Sequence, residues 1–176
     1  MDFTTKIFIA AMCIFIPASL YVWFKYFKKE TRRELAADQS KHTMLQAYER
    51  LTLLVNRIAL PNLITRLSVP NAEARDMQLL LLQTIREEFE YNISQQIYVS
   101  TDAWRAVKTL RDQNMLIVNQ IASALPEGAT GGDLSKIVLD FLMTDARGNL
   151  HELVSEVLAN EAKKLMAISA EKVYRD

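Results

Sequence analysis

The residues best suited to chemistry are few, and each grouping lacks a part. His151 and Glu152 open the pattern His-Glu-x-x-His, in which two histidines one helical turn apart hold zinc and the glutamate acts as base, but position 155 is Ser155. The only other histidine, His42, lies far away in the chain. His151 therefore reads as a solvated residue in the first turn of a helix. Glu87, Glu88 and Glu90 could supply oxygen ligands or an acid and base pair. A carboxylate-bridged di-iron bundle needs Glu-x-x-His twice, however, and the chain contains no such pair. Solvated or ion-paired helix surface beside Arg86 is the simpler reading. Gly128, Gly131 and Gly132 could form a backbone nest for an anion ahead of a helix. A phosphate loop would continue Gly-Lys-Ser/Thr, whereas Gly132-Asp133-Leu134 puts a repelling carboxylate at that point.

The remaining candidates are weaker still. Cys13 is the only cysteine and sits in an apolar run, so neither an intrachain disulfide nor a thiol cluster can form. Asn92-Ile93-Ser94 fits the glycosylation pattern but falls inside an expected helix. A serine nucleophile would need a base within reach, and two isolated histidines offer none. No catalytic, metal-binding or cofactor-binding residue is therefore assigned, no cofactor is expected, and the chain is not expected to be an enzyme.

The elements that would carry these residues are helical. Four glycines and four prolines in 176 residues are too few for the frequent turns of a sheet. Met44, Tyr48, Leu51, Val55 and Ile58 recur at alternating spacings of four and three, a helical stripe that Pro61 should end or kink. It is too short to carry a coiled-coil assignment. Asn71 is expected to cap a helix from Ala72 to Ile97, with Met77, Leu81, Ile85, Phe89, Ile93 and Ile97 four apart on its buried side. Ser100 or Thr101 should cap the next helix, which buries Trp104, Val107, Leu110, Ile117, Ile121 and Leu125. Residues 126–133 hold three of the four glycines and form the clearest loop. Asp133 is expected to cap a short helix to about Met143, and a last helix should run from Asn149 to about Val173.

Ahead of these lies Ile7 to Phe24, 18 residues without a charge. At about 1.5 Å per residue it would reach about 27 Å, close to a hydrocarbon thickness of about 30 Å. A cleaved signal peptide is the rival reading, but the run is long, Asp2 offsets Lys6, and bulky aromatics stand where small residues should flank a cleavage site. Tyr21, Trp23, Lys25, Lys28, Lys29, Arg32 and Arg33 are the expected membrane-interface residues, because amphipathic rings and cations favour the headgroup layer. One basic residue precedes the run and five follow within ten positions, which would put the N-terminus outside and the large domain in the cytoplasm. Of 21 basic and 21 acidic residues, six and two respectively precede position 34. The remainder is mildly acidic and an unsuitable partner for nucleic acid.

At Gln46-Ala-Tyr-Glu-Arg50, Ile85-Arg-Glu-Glu88 and Asn92-Ile-Ser-Gln-Gln-Ile-Tyr-Val-Ser100 followed by Trp104, the chain resembles a bacterial family of uncharacterised proteins with one N-terminal membrane helix. The resemblance implies that architecture in a bacterial inner membrane and brings no activity or catalytic residues with it.

The expectation is thus an all-α protein: a single N-terminal transmembrane helix followed by a four- to six-helix soluble bundle-like domain. The segments are an anchor (1–27), a polar helical stalk (28–43) and an all-helical cytoplasmic domain (44–176). The expected function is that of a non-catalytic subunit or adaptor of a membrane-associated assembly, acting through helix-mediated protein contacts. The alternative is a homo-oligomerising membrane-anchored scaffold or regulator. Its partners would be the lipid bilayer and other membrane-associated proteins or copies of itself.

Overall fold

The computed structural model describes residues 3–173, apart from the side chains of 3–11, 13–14, 27, 29–36, 146–147 and 168–173. Among the described residues the chain is all-α. The helices are α1 (Phe3–Ile58), α2 (Leu60–Leu67), α3 (Ala74–Tyr91), α4 (Thr101–Ala124), α5 (Gly131–Thr144) and α6 (Leu150–Val173), with short 3₁₀ turns at Ile93–Ile97 and Ala146–Asn149. The chain divides into two compact units, Met1–His42 and Thr43–Asp176.

The first unit holds most of α1. Its described large apolar side chains point to solvent, among them Phe15 (79% exposed), Tyr26 (71%) and Trp23 (62%). Among the described residues no helix is long and apolar enough to cross a membrane. This overturns the expected single-pass span from Ile7 to Phe24, and with it the anchored fold class and the placement in a bacterial inner membrane with its N-terminus outside. The side chains of residues 7–11 and 13–14, Cys13 included, lie outside the described residues.

The second unit is built around one core. Leu51, Leu54 and Ile58 of α1, Leu63 of α2, Met77, Leu81 and Ile85 of α3, Leu110 and Ile117 of α4, Leu134 of α5 and Leu158 of α6 are all fully buried. Helix α3 packs on α4 and α5, and α4 packs on α6. The spacing of four along α3 is what brings Met77, Leu81, Ile85 and Phe89 to one face.

Pro61 does break the first helix, and side chains distant in sequence or across the break satisfy the carbonyls left at its end. Pro61 has no N–H to give the Arg57 carbonyl, which accepts instead from the Arg66 guanidinium at 3.4 Å. The Asn62 amide donates to the Asn56 carbonyl at 3.1 Å. Asn114, buried in α4, donates to the Ile58 carbonyl at 2.7 Å.

Three helix boundaries differ from the sequence reading. Helix α3 begins at Ala74 without a side-chain cap, because the Ala74 N–H donates to the Ala129 carbonyl at 2.9 Å, so Asn71 is not its cap. It ends at Tyr91 rather than Ile97, where the Asn92 side chain bonds back to the Glu88 carbonyl at 2.9 Å and the chain tightens into the 3₁₀ turn. Ile93 and Ile97 consequently leave the buried stripe and are 47% and 70% exposed. Helix α5 begins at Gly131 with Thr130 as its cap, and Asp133 is the third residue of a capping box. Ser100 caps α4 as expected, its hydroxyl accepting from Ala103 N–H at 3.1 Å.

Candidate functional site

The residues singled out for chemistry are not brought together. His151 is half-buried at the start of α6, with its Nδ1 3.2 Å from the Gly148 carbonyl, and Ser155 donates to the His151 carbonyl at 2.8 Å. Among the described residues no group of three or more His, Cys, Asp or Glu side chains could hold a metal ion.

The amides of Gly131 and Gly132 are already engaged. Gly131 N–H donates to the Ala72 carbonyl at 2.8 Å and Gly132 N–H to the Pro70 carbonyl at 3.1 Å. The Asp133 carboxylate accepts from Thr130 N–H at 2.9 Å and from its hydroxyl at 2.8 Å. Those bonds, the backbone one foremost, hold the Asp133 pKa below its ordinary value of 3.8. A depressed carboxylate pKa stabilises the fold above the unfolded value, and the contribution disappears as pH falls through the folded one. Amide exchange in the first turn of α5 should therefore accelerate below about pH 4, beyond the intrinsic pH trend, and Asp133→Asn should remove that step.

Of the expected membrane-interface residues, Tyr21, Trp23, Lys25 and Lys28 are exposed. Lys28 places its ammonium 5.7 Å from the centre of the Phe24 ring. The side chains of Lys29, Arg32 and Arg33 lie outside the described residues.

The feature that does converge is a groove of about 510 Å³ in the second unit, between the end of α1 and the end of α3. Arg50, Leu53, Leu54 and Arg57 form one wall, and Thr84, Glu87, Glu88 and Tyr91 the other. Seven residues are close to two helical turns, so Arg50 and Arg57 share a face of α1, as Thr84 and Tyr91 share one of α3. Arg57 donates to Glu88 at 3.2 Å, and Arg66 approaches the same carboxylate at 3.9 Å. Gln83 donates to Glu87 at 2.7 Å, and no described cation pairs with Glu87. Arg50 is exposed and, among the described residues, makes no ion pair. Leu53 (56% exposed) and Tyr91 (77%) stand open along the groove.

The groove's walls are held from behind. Tyr48, buried one helical turn before Thr52, accepts from Ser100 N–H at 3.0 Å and so ties α1 to the start of α4. Phe89 packs on Trp104 at 5.1 Å between ring centres, and the Arg111 guanidinium lies 4.2 Å from the Phe89 ring centre. Sequence reasoning found Glu87 and Glu88 but missed Arg57 as the counterpart of Glu88 and Arg50 as a lining residue of the same groove. Only the approach of the end of α1 to the end of α3, which puts Arg57 beside Glu88, reveals the pairing.

The chain belongs to a family of unknown function, DUF7935, whose pattern matches residues 2–165. No curated protein and no solved structure matches it.

Proposed function

We propose that this chain, from a family with no assigned activity, is a non-catalytic subunit or adaptor that works through helix-mediated protein contacts. The observation that carries the reading is the exposed apolar surface of the first unit. Met12, Phe15, Ile16, Leu20, Tyr21, Val22, Trp23, Phe24 and Tyr26 are all at least 48% exposed. At about 100° per residue they fall on every side of α1, and a helix apolar all round is stable only when it is covered. A partner protein with an apolar groove or helical face would cover it, with the aromatic rings as anchors. The likeness of Gln46–Arg50, Ile85–Glu88 and Asn92–Ser100 to a bacterial family supports a bacterial setting for this role. The membrane part of the expected assembly is not retained.

The test is purification of the tagged full-length chain from its native cells beside the Phe15→Ser/Trp23→Ser/Tyr26→Ser variant. The wild type should bring the same stoichiometric partner in repeated preparations. The variant should lose it, because a buried aromatic anchor contributes about 2 kcal/mol or more. A wild-type chain that sediments alone as a concentration-independent monomer would overturn the proposal.

A further inference from the structure

We infer that the groove between α1 and α3 is a homodimer interface, in which Arg50 of one copy meets Glu87 of the other. This goes beyond the partner contact of the N-terminal helix and stands on different residues in the second unit.

The argument begins with charge. Among the residues lining the groove, Glu88 is already neutralised by Arg57 at 3.2 Å. That leaves one unpaired cation, Arg50, on the α1 wall and one carboxylate without a cation, Glu87, on the α3 wall, among the described residues. The two do not pair with each other within the copy. A two-fold axis requires that if residue i meets residue j across an interface, j also meets i. A surface carrying one spare charge of each sign, on opposite walls, meets that condition with itself. One symmetric approach would neutralise all four charges as two Arg50 to Glu87 contacts.

The apolar content agrees. Leu53 and Tyr91 lie open on the two walls, and Tyr91 continues into Ile93 and Ile97, which the early end of α3 turns outward. An apolar centre flanked by charged pairs is the usual layout of a specific interface, the apolar part supplying affinity and the charges fixing register. A hetero-partner would have to bring the reciprocal charge pattern; a second copy carries it already.

The experiment uses the full-length chain carrying the Phe15→Ser, Trp23→Ser and Tyr26→Ser substitutions, so that association through the N-terminal helix is removed from the readout. Sedimentation equilibrium should show a monomer–dimer equilibrium. Arg50→Glu and Glu87→Arg should each weaken dimerisation at least about tenfold, since each places two like-charge contacts in the interface. The decisive arm is the mixture. An Arg50→Glu copy and a Glu87→Arg copy are complementary at both contacts, so the mixture should dimerise about as tightly as the unreversed chain, and native mass spectrometry should show it to be mixed. The doubly reversed chain should also recover as a homodimer. Dimers that ignore both reversals, a mixture no tighter than its components, or a monomer throughout would each overturn the inference. None of these outcomes bears on the partner contact proposed above, which the three N-terminal substitutions read by themselves.

Discussion

Replacing Asn114 with leucine should lower the stability of the second unit by about 2 kcal/mol, although both side chains branch at Cγ and hold the same number of heavy atoms. Asn114 is buried, and its amide is the donor that reaches the Ile58 carbonyl at 2.7 Å, from 56 positions further along the chain. That carbonyl lies where α1 stops short of Pro61, so the regular helical partner is missing. Leucine leaves the carbonyl buried without a donor, and an orphaned polar group costs about 1 to 3 kcal/mol. Thermal unfolding should show a fall of about 4 to 8 °C. Asn119→Leu is the control. Asn119 also makes an amide hydrogen bond, accepting from Gln78 at 2.8 Å, but on an exposed surface. Its loss should change stability by no more than about 0.5 kcal/mol. Equal effects at the two positions would show that burial of the Ile58 carbonyl is not what makes Asn114 matter.

Gly131→Val should be more damaging, at about 3 kcal/mol, read as a fall in unfolding midpoint of about 6 to 12 °C. A Cβ at Gly131 would stand 2.6 Å from the Val69 carbonyl oxygen and 3.2 Å from Met77 Cβ. The backbone cannot yield easily there. Gly131 N–H bonds Ala72 at 2.8 Å and Ala74 N–H bonds Ala129 at 2.9 Å, so retreat of α5 would break the link that also starts α3. Gly128→Ala separates space from backbone conformation. A Cβ there would meet nothing within 4 Å, but the residue has φ of +83°. Its cost should be about 1 kcal/mol, from the left-handed backbone alone. If Gly131→Val unfolds with the wild type, the close approach of α5 to the segment before α3 is not structural.

These two positions mark the division between what the residues announce locally and what the fold arranges. Scarce glycine and proline, together with apolar residues three and four apart, were enough to identify an all-α chain. The break at Pro61, the Ser100 cap and the loop before α5 were equally legible. Each depends on a residue and its neighbours within a turn, and such preferences act over that range. The apolar run from Ile7 to Phe24 shows the limit of that reasoning, because length and hydropathy suggested a span that the described helix does not provide.

The candidate site was legible only in part. Glu87 and Glu88 could be picked out as a carboxylate cluster, but only as solvated or ion-paired helix surface beside Arg86. Tertiary structure decided that Arg57 would neutralise Glu88 and that Arg50 and Glu87 would be left on facing walls. It also decided that α3 would stop at Tyr91 instead of carrying its stripe on to Ile97. By itself the sequence determined which segments are helical and which faces are apolar, since both follow from side-chain type at about 3.6 residues per turn. Only the packed unit determined which helix ends are satisfied and which charges stay unpaired. Those outcomes depend on hydrogen bonds and ion pairs between residues 31 and 56 positions apart, whose meeting no local preference encodes.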